Sequence, residues 1–344
     1  MKRILVALLF ICSNIAFAQQ PDSLKIKTDS INKKITKLEN KIDTLEKKKA
    51  DIIKKDTVRH WKKGGVASLN FTQSSFTNWA AGGENAVSGS ALLNVFANYK
   101  KDKSTWDNTL DLGYGLLQSG TSPLRKNEDK IDFSSKLGHY AFGDRWYYSA
   151  LVNFKSQFDK GYNLPDDSTV VSHFLAPAYV LGAIGLDYKS ANEGVFSFFV
   201  SPVTSKTTIV YDHKLADAGA YGVEKAQYDT AGVKIKDGAL YRSEFGGYVK
   251  MTFKKDIFKN VNFQTKLELF TNYLDHPENI DVNWENILAM KINKFLTCTV
   301  TTQMIYDNDI PVPVEREING IKIRGTGPRL QFKEVLALGF SYKF

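Results

Sequence analysis

Cysteine is almost missing from this chain: Cys12 and Cys298 are the only two among 344 residues. Cys12 lies in an N-terminal segment expected to be removed, so neither an intramolecular disulfide nor a thiolate metal site can form. Histidine is scarce too. His60, His139, His173, His213 and His276 are placed so that no two have metal-ligand spacing, which argues against zinc. Long apolar runs are lacking as well: beyond residue 18, Asp, Lys, Asn or Gln interrupts every stretch before it nears the ~20 apolar residues of a membrane helix. Insertion into a membrane through helices is excluded.

What is present begins with an export signal. Lys2 and Arg3 precede an apolar run from Ile4 to Ile15, and Ala16-Phe17-Ala18 stand ahead of Gln19, so residues 1–18 read as a cleavable secretory signal peptide. Ile11, in front of Cys12, is bulky where a lipidation signal wants a small residue, which argues against a lipid anchor.

From Leu24 the positions Thr28, Ile31, Ile35, Leu38, Ile42, Leu45, Lys49 and Ile52 follow one another at alternating spacings of four and three, a heptad seam with Thr28 and Lys49 as its polar members. Residues 19–60 are therefore expected to form a helical coiled-coil arm. The same spacing also fits a lone amphipathic helix. The arm carries much of the chain's formal net charge of +9, with twelve Lys and Arg against seven Asp and Glu between Gln19 and His60. An exported protein does not meet nucleic acid in its ordinary compartment, so anionic envelope polymers, peptidoglycan or lipid headgroups are the expected acidic partners.

Beyond Trp61 the period changes to two. Trp146, Tyr148, Ala150, Val152, Phe154 and Phe158 alternate with Arg145, Tyr147, Ser149, Asn153, Lys155 and Gln157. Val261 to Tyr273 and Ile280 to Ile292 repeat the pattern. Alternation alone fits a soluble sandwich as well, but soluble strands cluster at about 5 to 6 residues and these run far longer. Twelve strands are expected, starting near 64, 87, 104, 130, 145, 175, 194, 238, 260, 279, 295 and 329. Short connections such as Lys101-Asp102-Lys103 and Gly143-Asp144 alternate with long ones, the largest at Ser205 to Asp237 and Asn308 to Pro328. Residues 61–344 thus read as an antiparallel outer-membrane β-barrel, of all-β class, with both termini in the periplasm. Leu336, Leu338, Phe340, Tyr342 and Phe344 resemble the terminal strand signal that hands a barrel to the assembly machinery, and the outward belt predicts contact with outer-membrane lipid.

Several segments resemble a family of Bacteroidota outer-membrane β-barrel proteins catalogued only as a domain of unknown function: Phe76 to Asn85 above all, then Arg125 to Lys130, Gln157 to Tyr162, Ala176 to Tyr179, Leu215 to Val223 and Asp281 to Asn293. The resemblance implies an outer-membrane location and brings no catalytic or binding residues with it.

Candidate contacts with a ligand come from two places. The first outer connection offers Asn78, the Trp79 indole, Glu84 and Asn85 around Gly82-Gly83, either as a plug or as a tight loop anchored by Trp79. It lacks the lysine and the following helix of a phosphate loop. The expected lumen face carries Asp107, Asp111, Arg145, Lys155, Asp187, Arg242, Glu244, Lys250, Lys266, Glu268, Asp281, Glu285 and Lys291. Both signs occur, which fits either a lumen braced by ion pairs or a narrow hydrophilic channel. Ser172-His173 and Asp212-His213 touch the requirements of a hydrolase, but neighbours on a strand point to opposite faces and form no dyad. The sequence therefore points to a non-enzymatic, cofactor-free channel or solute-binding envelope protein. Two other readings stand beside it: a structural tether acting through the basic arm, which could also self-associate, and an outer-membrane hydrolase.

Overall fold

The computed structural model describes residues 22–58, 60–75, 84–143, 145–162, 168–191, 194–310, 312–318 and 321–344. The expected signal peptide, Asn78, Trp79 and the Gly82-Gly83 pair lie outside them. Contacts divide the chain into two compact units, Met1–His60 and Trp61–Phe344.

In the first unit, Asp22–Val58 forms one α-helix, α1. The seam side chains Ile31, Ile35, Leu38, Ile42 and Leu45 are all exposed, at 47–60% of their full surface. Among the described residues nothing covers this stripe.

The second unit is a closed barrel of twelve antiparallel strands, each paired with the next in sequence, and with the last paired to the first. The strands are β1 Trp61–Ser74, β2 Ala86–Lys101, β3 Ser104–Ser119, β4 Arg125–Phe142, β5 Trp146–Ser156, β6 Ala178–Lys189, β7 Phe196–Ile209, β8 Tyr241–Phe258, β9 Val261–Asn272, β10 Ile280–Lys291, β11 Leu296–Tyr306 and β12 Gln331–Lys343. Each expected strand overlaps one of these. Closure leaves no strand with a wholly free edge, and the closing pair runs from Val66–Asn70 of β1 to Gly339–Lys343 of β12. At the seam Gly65 and Phe344 exchange both backbone hydrogen bonds at 3.1 Å.

Side chains alternate across the wall. Leu137, Tyr148, Val152, Ile184, Leu336, Leu338, Phe340 and Tyr342 are exposed on the outside. Trp106 and Trp284 join them, at 42% and 40%, and each indole N–H is satisfied across the outer face, by Ser135 Oγ and Thr265 Oγ1. Near the short-turn end Trp61 packs on Tyr99 and Trp106, while Trp146 lies between Phe142 and Tyr188, as rings of a membrane-interface belt do. On the inside an apolar cluster of Leu151, Leu181, Ala183, Phe199, Tyr248 and Phe270 fills one part of the wall from β5 to β9.

A bulge in β7 resets this alternation. Gly246 and Tyr248 of β8 pair with Thr204 and Ser201, so β7 holds one extra residue there, next to Pro202, which has no N–H to give a ladder. Phe199 and Ser201 face inward on odd numbers; Thr204, Lys206 and Thr208 do so on even ones.

Beyond the long-connection end the loops carry structure of their own. Residues 210–240 hold a short helix, α2 His213–Asp217, and a two-stranded ribbon of Gln227–Tyr228 with Lys234–Lys236. Val312–Ile318 and Ile321–Gly327 form a second hairpin.

Candidate functional site

The charged side chains that the alternation turns inward meet one another across the lumen. Halfway along the barrel, Lys130 of β4 reaches Glu285 of β10 at 3.0 Å, and these strands stand opposite each other in the ring of twelve. Lys266 of β9 contacts Asp132 of β4 at 3.2 Å and Glu285 at 3.5 Å. Glu268 of β9 receives Lys155 of β5, Lys250 of β8 at 3.6 Å, the Tyr248 hydroxyl at 2.9 Å and the Asn283 amide at 2.9 Å. Asn153 donates to Asp132 at 2.7 Å. Glu268 and Asp132 are nearly fully buried by this layer. A carboxylate in such a place is tolerable only because cations and N–H or O–H donors surround it.

Two further clusters lie above and below. Toward the short turns, Asp187 holds Lys136 at 2.7 Å and Lys189 at 4.0 Å, and Lys189 also reaches Asp107 at 2.7 Å. Toward the long loops, Lys206 touches Asp281 at 2.6 Å, Asp307 at 3.6 Å and Glu244 at 3.7 Å, while Arg242 bridges Glu244 and Asp309 at 2.9 and 3.0 Å. Four carboxylates therefore face two cations in this cluster, which leaves it negative. A cavity of about 40 Å³, lined by Glu244, Asn272, Asp275, His276, Asn279, Asp281, Asn308 and Asp309, opens beside them, with room for one or two waters.

Of the sequence-predicted contacts, Lys155, Arg242, Glu244, Lys266 and Glu268 are gathered into these layers, together with Asp107, Asp187, Lys250, Asp281 and Glu285. Asp111 is inside too and accepts from the Asn94 amide. Arg145 is not: it is an exposed turn residue whose guanidinium donates to the Tyr188 hydroxyl at 3.2 Å. Lys291, at the same end, is exposed as well. Glu84 and Asn85 fasten the first long connection to the second, where Glu84 Oε2 accepts from Ser119 Oγ at 2.7 Å and the Asn85 carbonyl from the Gly120 N–H at 2.7 Å. They lie at the ends of β2 and β3, away from the mid-lumen layer.

Sequence reading missed Lys130, Asp132, Lys136, Lys189, Lys206, Asp307 and Asp309. The signal for the first three was available: Lys126, Glu128, Lys130, Asp132 and Lys136 are all even-numbered, opposite to the outward Phe133 and Leu137.

In the outer loops His173 pairs with Asp212 rather than with Ser172, Nε2 to Oδ2 at 3.0 Å, and its Nδ1 faces the carbonyl of the following residue, Phe174, at 2.9 Å. Neither ring nitrogen contacts a serine hydroxyl among the described residues. Asp212 also caps α2 by accepting from the Leu215 N–H at 3.0 Å. That bond, helped by His173 and opposed by partial burial, holds the Asp212 carboxyl below the usual carboxylate range. Asp217, at the other end of α2, is likewise held down by the Gly238 N–H and by Lys234. Among the described residues no group of three or more His, Cys, Asp or Glu is arranged to hold a metal ion.

Fold and lumen together define a closed meander barrel, apolar outside and charged within. Residues 71–162, less than a third of the chain, match the model of a family described as a protein of unknown function (DUF3078). No curated protein matches. Among solved structures the chain is similar to an outer-membrane channel of Pseudomonas putida F1, at 12% identity over 82% of this chain and 94% of that one, with a TM-score of 0.34. It is also similar to the translocator domain of the autotransporter NalP from Neisseria meningitidis, at 9% identity, 88% and 96% coverage and a TM-score of 0.30. The toluene transporter TodX of P. putida gives 12%, 83%, 80% and 0.30.

Proposed function

We propose that this chain is an outer-membrane β-barrel that serves as a narrow passage for small hydrophilic solutes, closed at rest by ion pairs across its lumen. Its strands of 11 to 18 residues meet or exceed the ~9 to 11 that a tilted crossing needs, and its outer face is apolar with aromatic groups near one end.

The observation that carries the passage reading is the Lys130–Glu285 pair and the Lys266 contacts that span the middle of the barrel. A barrel needing only a solid interior could fill it with apolar side chains at no desolvation cost, as the cluster around Phe199 does on one side. The rest of the interior is made of groups that water and ions can hydrate when a pair opens. Among the described residues His173 contacts Asp212 and Phe174 rather than a serine, which favours the passage over the hydrolase reading.

Single-channel recording in planar bilayers tests this on the full mature chain and on the double variant Lys130→Ser/Glu285→Ser, which removes both partners of the pair and leaves Lys266 with Asp132. The expected outcome is small, brief openings for the native chain and a severalfold larger conductance for the variant. A folded, inserted variant that stays silent overturns the passage.

A further inference from the structure

The helix α1 leaves its apolar stripe uncovered, and its charges say what covers it. With Thr28, Ile35, Ile42 and Lys49 at the first seam position of each heptad and Ile31, Leu38 and Leu45 at the second, the residues that flank the seam are fixed. One flank is Lys27, Lys34, Lys41 and Lys48, a lysine in every heptad. The other is Asn32, Glu39 and Glu46.

In a parallel pair of helices each residue on the first flank faces the residue five places later on the second flank of its partner. Lys34 then meets Glu39, and Lys41 meets Glu46, on both sides of a symmetric pair. In an antiparallel pair like flanks face each other, lysine against lysine and glutamate against glutamate. The same residues thus favour one orientation and oppose the other.

Glu39 is unable to spend its charge within its own helix. Its neighbours three and four residues away are Ile35, Thr36, Ile42 and Asp43, none of them a cation. Among the described residues neither Glu39 nor Glu46 takes part in an ion pair, and five seam side chains stay exposed beside them. The centre of the seam, Ile35 and Ile42 against Leu38 and Leu45, has β-branched residues at the first position and leucine at the second, the arrangement that favours two strands. Lys49, a lone charged seam residue, discriminates further against larger bundles.

We infer that α1 pairs with α1 of a second copy of this chain in a parallel, in-register two-stranded coiled coil. On the membrane reading given above, which this inference rests on only for its setting, two barrels inserted the same way send their arms out on the same side. Parallel pairing is then the orientation that insertion allows.

The test uses the full mature chain, folded in detergent, with mass measured by sedimentation after subtracting bound detergent. The native chain should weigh twice the monomer. Glu39→Lys/Glu46→Lys should be monomeric, and adding Lys34→Glu/Lys41→Glu to that variant should restore the dimer, a recovery that general damage to the helix would not give. In a Cys298→Ser background, chains carrying Ile31→Cys and chains carrying Leu45→Cys are mixed and oxidised. Parallel pairing gives 31–31 and 45–45 links. A folded barrel that stays monomeric, a threefold mass, or predominant 31–45 links would overturn the inference. A monomer that still conducts rejects this pairing alone; a dimer that never conducts rejects only the passage.

Discussion

At the residue scale the lumen is organised around Glu268. It answers two lysines, a tyrosine hydroxyl and an amide, so the geometry of β5, β8, β9 and β10 converges on one carboxylate. Glu268→Gln keeps the acceptor for Tyr248 but leaves Lys155 and Lys250 without their counter-charge. Removing one partner of a buried pair costs about 3 to 5 kcal/mol, and the lower end applies because Lys155 is 28% exposed. Urea unfolding of the refolded barrel should show a loss of about 3 kcal/mol, and Glu268→Gln/Lys155→Gln should recover part of it. A second residue-scale effect lies in the loops. Asp212 and Asp217 both titrate lower in the folded loop than in an open one, so their stabilisation is full above the ordinary carboxylate value and is lost as pH falls through the depressed ones. Hydrogen exchange of the Leu215 and Gly238 amides, corrected for the intrinsic rate, should therefore accelerate below about pH 4 while strand amides stay protected. Unchanged protection in that range would show that the two carboxylates do not hold the loop.

At the scale of elements, the strands were legible because each is long and alternates, and because short and long connections take turns. The facing of their side chains was less so. The reading stopped the seventh strand at Thr204, and the bulge at Pro202 explains why: the inward set changes from odd to even numbers there, so Lys206 falls out of phase with Phe199 and reads as loop. Arg145 failed for the opposite reason, since it continues the alternation of β5 in sequence yet stands in the turn before that strand begins. Lys130 and Asp132 were in plain view, but alternation names a face without naming its partner, and their partners are 155 and 134 residues away. The seam of β1 with β12 offers a test of closure. A Cβ on Gly65 would stand 2.5 Å from the Asn94 carbonyl oxygen and 2.6 Å from Phe344 Cζ, and the first of these is backbone that cannot step aside. Gly65→Val should cost about 3 kcal/mol, the upper end for overpacking, and should lower the urea midpoint of the folded band on unheated gels. Gly182→Ala, exposed on β6 with open space around it and an ordinary strand φ, should leave that band in place.

At the scale of the whole molecule the lumen is charged but unevenly so. The middle layer sets Lys130, Lys155, Lys250 and Lys266 against Asp132, Glu268 and Glu285, while the cluster around Lys206 at the long-loop mouth sets Lys206 and Arg242 against Glu244, Asp281, Asp307 and Asp309. An ion arriving from the long-loop side meets the negative mouth first and the denser, slightly positive layer second. Arg242 and Asp309 stay partly exposed, so the cluster acts through its field, by raising the local concentration of cations. Its field reaches only a Debye length, about 10 Å at 0.1 M salt and 3 Å at 1 M. If the barrel conducts as proposed, reversal potentials under a salt gradient should show a preference for cations at 0.1 M that fades toward 1 M. Asp307→Asn/Asp309→Asn removes two of the four carboxylates without touching the middle layer, and should reduce the cation-to-anion permeability ratio by roughly twofold at the lower salt. Conductance itself should change little, because the constriction is elsewhere. A ratio indifferent to both the variant and the salt would mean that the middle layer alone selects, and that the acidic mouth serves only to anchor Lys206 and Arg242 under the outer loops.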